Sequence, residues 1–255
     1  MRPLTFTRLV LLEARSSRLL WLAIVVVVLS LGLAGFAGSL ALTDQRSIEA
    51  GLLGSVLRGA AVLLVMLFVL SGLARDFEQR FIEVGLALPV SRGAFYLGRL
   101  GGYLLVSSGL VLLLTLPLWF VAKIDMVLLW ALSLLVELWL VSALAMFFGM
   151  TLRHLTSSFM ATLGAYLLAR VGAVLEAMAV AAASQPDATW SDHLSGRLAQ
   201  GVMWFVPDLG HFARSEWLMY GDGHLGSLGY ILLQGGIYLG LLIAAGMVDL
   251  YRRNF

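Results

Sequence analysis

Residues 19 to 42 carry no charged side chain, and an apolar run of that length constrains the fold more than any other feature of the chain. A hydrocarbon core about 30 Å thick is crossed by roughly 20 apolar residues in a helix, so this run reads as a membrane span. Further runs of the same kind follow at intervals through the chain. Hydrophobic residues make up 60% of the sequence and charged residues only 13%, with a mean hydropathy of +0.94, a balance that no soluble core requires. The expectation is an all-α, polytopic membrane protein in which residues 1–255 form one transmembrane domain, with little chain left for a catalytic one. The absence of cysteine excludes a disulfide framework, a thiolate metal site and a cysteine nucleophile. A net charge of only +2 argues against nucleic acid as a partner, since arginines in such a chain usually set topology.

Residues 1–18 place Arg8, Arg15 and Arg18 on one helical arc and Phe6, Leu9 and Val10 on the other, with Leu11 breaking the pattern. This predicts an interfacial helix whose arginines face lipid phosphates. The first span follows from Leu19, and Gly32, Gly35 and Gly38 with Ala34 form a small-residue face suited to close helix contact. Residues 43–57 read as polar enough to leave the membrane, so the second span begins near Gly51 or Val56 and ends at Ala74. Arg58 is then expected to snorkel at the outer boundary. The third span, Phe95 to Ala122, contains Pro117, a kink site. Lys123 and Asp125 mark a turn, and spans from Val127 to Thr151, Ser158 to Ala183 and Leu228 to Leu250 complete six. The long exposed stretch is residues 184–226.

Between the second and third spans lies a charged island, residues 74–102. At helical spacing Phe77, Phe81 and Val84 share a stripe, and Asp76, Arg80 and Glu83 gather beside it. Gly85 and Pro89 end this helix, and Ser91 can cap the next. A short amphipathic helix on the membrane face is expected, its aromatic stripe available to a protein partner. With both termini inside, eleven arginines lie on the cytoplasmic side and five basic residues outside, with Arg170 within a span, which favours that orientation.

The order of residues in this island resembles the permease subunits of type-2 ABC exporters. The matching residues are Arg75, Asp76, Phe77, Glu78, Arg80, Phe81, Glu83, Leu86 and Leu88, then Pro89, Val90, Ser91, Arg92 and Gly98. The resemblance implies a coupling helix over residues 75–88, including Val84, that docks into a separate ABC ATPase present in two copies. It implies a permease dimer, a bacterial-type cytoplasmic membrane, and ATP and magnesium held by the partner, with no cofactor in this chain. Pairs such as Gly98 with Gly102 and Gly236 with Gly240 would be the packing faces that shift. The phrase from Pro207 to Leu218 is similar to the one that follows a re-entrant hairpin in these permeases, although Val206 stands where they commonly have Asn. Pro207, Phe212 and Trp217 are the outer gate candidates, and the spacing of Trp190, Leu194 and Leu198 predicts a short interfacial helix before them.

Three ionisable groups fall inside spans, where charge is costly and is usually paired or lines a path. Glu137 lies about 15 Å from the outer end of span four and Arg170 about 18 Å from the inner end of span five, so both come near the midplane. An ion pair between them is expected. Glu176 lies on another face and looks toward the outer side or the path. An ion-coupled secondary transporter or channel is the alternative function. A membrane-embedded enzyme lacks a nucleophile phrase, and His193, His211 and His224 fit no metal-ligand spacing.

Overall fold

The computed structural model describes residues 4–40, 44–78, 91–152, 154–185, 189–204, 206–210, 212, 216–221, 223 and 225–252. Among these the regular structure is entirely helical, and six helices are long and apolar enough to cross a membrane. The chain is an all-α, polytopic membrane protein. Its helices are α1 (Leu4–Ser16), α2 (Leu19–Leu40), α3 (Gln45–Glu78), α4 (Arg92–Thr115), α5 (Ile124–Leu152), α6 (Leu155–Ala183), α7 (Trp190–Met203), α8 (Glu216–Tyr220) and α9 (Leu225–Arg252).

Burial separates two central spans from a periphery. In their most apolar stretches, α3 and α5 are 61% and 67% buried, against 22% for α2 and 17% each for α6 and α9. The outward faces of those three carry Trp21, Leu29, Met178 and Leu233, apolar side chains that fit lipid or another protein equally well. Because lipid tails are as apolar as leucine, the helices hold together by close packing. Gly149 shows how: a Cβ there would come within 2.7 Å of Leu73 Cδ1, so α5 approaches α3 where the side chain is missing.

The helix ends are fixed by local chemistry. Ser91 caps α4, its Oγ accepting from Ala94 N at 3.3 Å. At the other end of α4, Pro117 opens a 3-10 turn, Leu116–Phe120, because proline lacks the N–H that an α-helix would use. Phe120 and Trp119 stand exposed at this end, aromatic rings of the kind that settle at a membrane interface.

Three sequence expectations change here. Residues 45–57 are not a loop: α3 begins at Gln45 and, at about 1.5 Å per residue, extends roughly 50 Å. The small-residue face of α2 is only half used, since Ala34 is buried and Gly38 faces Glu49, while Gly32 and Gly35 have nothing within 4 Å. Likewise Gly236 and Gly240 face open space, whereas Gly102 receives Val10 of α1, and the Gly98 carbonyl accepts a 2.8 Å bond from Thr7 Oγ1. The apolar arc of α1 is therefore spent on α4, with Phe6 edge-on to Phe95 at 5.1 Å, and Arg8, Arg15 and Arg18 remain exposed.

Candidate functional site

Two clusters of buried charge lie at different heights. The deeper one centres on Glu137 of α5, which is fully buried and has partners on both oxygens. Arg58 Nη1 of α3 donates to Oε2 at 2.6 Å. On the other side, Tyr166 Oη donates to Oε1 at 2.9 Å and Arg170 Nη1 at 3.2 Å, both from α6. Arg58 is itself fully buried, and it also donates to Ser133 Oγ at 2.8 Å and to the Phe212 carbonyl at 2.9 Å. Its guanidinium lies over the Trp130 ring, 5.1 Å from the centroid. Two arginines on one carboxylate leave the cluster one positive charge in excess, carried toward the open side by Arg170, whose side chain is 30% exposed.

Arg170 therefore reaches Glu137 as the sequence leads one to expect, but Arg58 does not snorkel. It is fully buried because the helix turns it into the bundle, onto Glu137, Ser133 and the Phe212 carbonyl. The signal was present as two i,i+4 pairs, Ser133 with Glu137 and Tyr166 with Arg170, each presenting polar groups on one helix face. Glu176 is half exposed, and no ion pair is formed by it among the described residues.

The segment after α6 reaches this cluster because α7 folds back along α6. Met203 packs over Gly172, and Gly196 over Ala179 and Ala183, so α7 runs back alongside the last third of α6. The capping box at the start of α7, in which Thr189 N and Oγ1 donate to Asp192 Oδ2 at 2.7 and 2.6 Å, holds the Asp192 carboxyl below its usual range. After α7 the chain is pinned by Leu209 N, which donates to the Ala169 carbonyl at 3.0 Å, and Phe212 is fully buried with its carbonyl on Arg58. Pro207 lines a narrow apolar crevice of about 180 Å³ with Tyr166, Tyr238 and Leu242. Trp217, 3% exposed, helps close an outer cavity of about 470 Å³ that also holds Arg46 and Lys123. The three gate candidates thus occupy one segment, but only Phe212 touches the charge cluster.

The second cluster joins α1, α3 and α4. Arg99, 1% exposed, pairs with Asp76 and, at 3.5 Å, with Glu13, and its guanidinium lies 5.8 Å from the Tyr103 ring centroid. Asp76 was expected to face a partner. It is buried instead, because Arg99 has entered the membrane end of α4 and needs a counter-charge. Phe77 is half buried and shares a small cleft with Gly149, His154 and Leu155. Arg75 and Glu78 point outward, while Arg80, Phe81, Glu83, Val84 and Leu86 lie outside the described residues. Among the described residues no group of His, Asp and Glu is placed to hold a metal ion; His211 and His224 lie outside them.

No protein-family model matches this chain, and comparison with curated proteins finds no similar sequence.

Proposed function

We propose that this chain is the membrane-spanning subunit of an ATP-driven exporter, forming the translocation path as a dimer and driven by a separate ABC ATPase in two copies. The observation that carries the reading is the junction of α3 and α4. The apolar helix α3 runs on through Arg75 to Glu78, and Ser91 starts α4 anew, so the phrase resembling a coupling segment joins two adjacent spans at one membrane face. The ATPase-facing set is Arg75, Glu78, Arg80, Phe81, Glu83, Val84 and Leu86. ATP and magnesium belong to the partner, and this chain does no covalent chemistry. The surplus of arginines at this end supports a cytoplasmic position for it and for both termini, in a bacterial-type membrane.

In this reading α3 is the transmitter. It carries the coupling residues at one end and Arg58 toward the other, and Arg58 holds the carbonyl of Phe212 in the outer segment. A shift of α3 when ATP closes the partner subunits would disturb the outer exit through one hydrogen bond. The exposed faces of α2, α6 and α9 are where a second permease copy and lipid would lie.

The test is co-purification with the ATPase encoded beside it. Phe81→Glu should abolish the complex while the permease remains folded. Phe77→Glu should damage the permease itself, because Phe77 is packed inward. A complex indifferent to Phe81→Glu, or no complex with the native chain, overturns the reading. The buried network of Arg58, Glu137 and Arg170 favours a second one, an ion-coupled transporter or channel; transport that follows a proton gradient and ignores any ATPase would decide for it.

A further inference from the structure

Where α1 turns into α2, a lateral groove of about 470 Å³ opens beside the end of α3. Its walls grade from charged to apolar. Arg18 and Arg75 stand at the mouth, Ser71 lies next, and Leu67, Leu64 and Leu22 line the rest. The α3 contributions are spaced as one helical stripe, 64, 67, 71 and 75, so the groove descends about 16 Å along the helix from Arg75, half of a hydrocarbon core. Neither arginine makes an ion pair among the described residues. Asp76 and Glu13 are turned to Arg99, and Glu78, one turn beyond Arg75, forms no ion pair with it.

We propose that this groove is a binding site for an anionic glycerophospholipid, its phosphate and acidic headgroup between Arg18 and Arg75 and one acyl chain along Leu67 and Leu64. Charge complementarity selects the headgroup, and the length and apolar floor of the groove select a lipid over a soluble anion. The bound lipid ties the α1–α2 corner to α3. The inference needs only the membrane placement; it shares Arg75 with the ATPase-facing set named above, and Arg18→Gln and Leu67→Trp test the groove without that residue.

Native mass spectrometry of the purified full chain, titrated with phosphatidylglycerol against phosphatidylcholine of the same acyl chains, tests it. Phosphatidylglycerol should be retained preferentially. Arg18→Gln and Arg75→Gln should each lower that preference about fivefold, the contribution of one basic residue near an anionic membrane surface. Leu67→Trp, which fills the apolar half and leaves the charges, should lower retention as well. Arg8→Gln with Arg15→Gln, removing exposed arginines outside the groove, should leave it unchanged. Equal losses in that control pair, indifference to Leu67→Trp, or displacement of the lipid by inorganic phosphate alone would each overturn the site. Size-exclusion profiles matching the native chain establish that every variant compared is folded.

Discussion

Arg58 and Glu137 are both fully buried, and Glu137 is the one carboxylate that Arg58 pairs with among the described residues, whereas Glu137 is also held by Arg170 and Tyr166. Removing one partner of such a pair typically costs about 3–5 kcal/mol, since the charge left behind keeps its desolvation penalty. Glu137→Gln, which leaves Arg58 without a counter-charge, should therefore destabilise the protein by that amount, and Arg58→Met by less, because Arg170 and Tyr166 still hold Glu137. The double replacement Arg58→Met with Glu137→Met should lose less than Glu137→Gln alone, a non-additivity measurable by unfolding in detergent. Arg58→Lys should fail to substitute, because a single ammonium cannot serve Glu137, Ser133 and the Phe212 carbonyl in one plane. At the surface, Asp192 titrates below its usual range because it accepts from Thr189. Its contribution to the start of α7 is present above the unfolded carboxylate pKa and is lost as pH falls through the lower folded value. Amide exchange of residues 190 to 193 should accelerate on acidification below pH about 4, and Thr189→Ala should show the fast exchange already at neutral pH.

Among the elements, α1 is held by shape. Val10 sits where a side chain at Gly102 would be, with a Cβ at that position only 2.6 Å from Val10 Cβ. Gly102→Leu should cost about 1–3 kcal/mol in overpacking and lift α1 from α4. Hydrogen exchange over residues 4 to 16 would report this as lost protection, while residues 124 to 152 stay protected. The same replacement at Gly236, which has nothing within 4 Å, should leave the isolated chain unchanged; an effect appearing only in an assembled complex would locate a neighbouring subunit on α9.

Among the described residues, one charge cluster lies near the mid-height of the spans and another at the end that carries Arg75, and α7, folded back along α6, brings the segment around Phe212 to the first. Because the chain has no cysteine, single introduced cysteines report topology without background. Arg8→Cys and Ser195→Cys, both at exposed positions, should react with an impermeant maleimide from opposite sides of the membrane. Reaction of both from the same side would contradict six crossings.

Span number was legible in the sequence because it depends on the length of apolar runs, a local property read against the bilayer thickness. The pairing of Glu137 with Arg170 was legible too, since both charges lie at similar depth on consecutive antiparallel helices. Depth and rotation were not. Whether Arg58 lay at a boundary or in the interior depended on where α3 starts, and Gln45 to Leu57 reads as polar until Gly51 and Gly54 are seen packed under Met219 and Leu218. Asp76 and Phe77 share the amphipathic pattern of a docking helix, and only Arg99 of α4 and the cleft beside His154 turn them inward. By itself the sequence determined which segments enter the bilayer, because that follows from transfer free energy residue by residue. The tertiary structure decided which charges meet, because a buried ion finds its partner through the relative height and rotation of helices that are far apart in the chain.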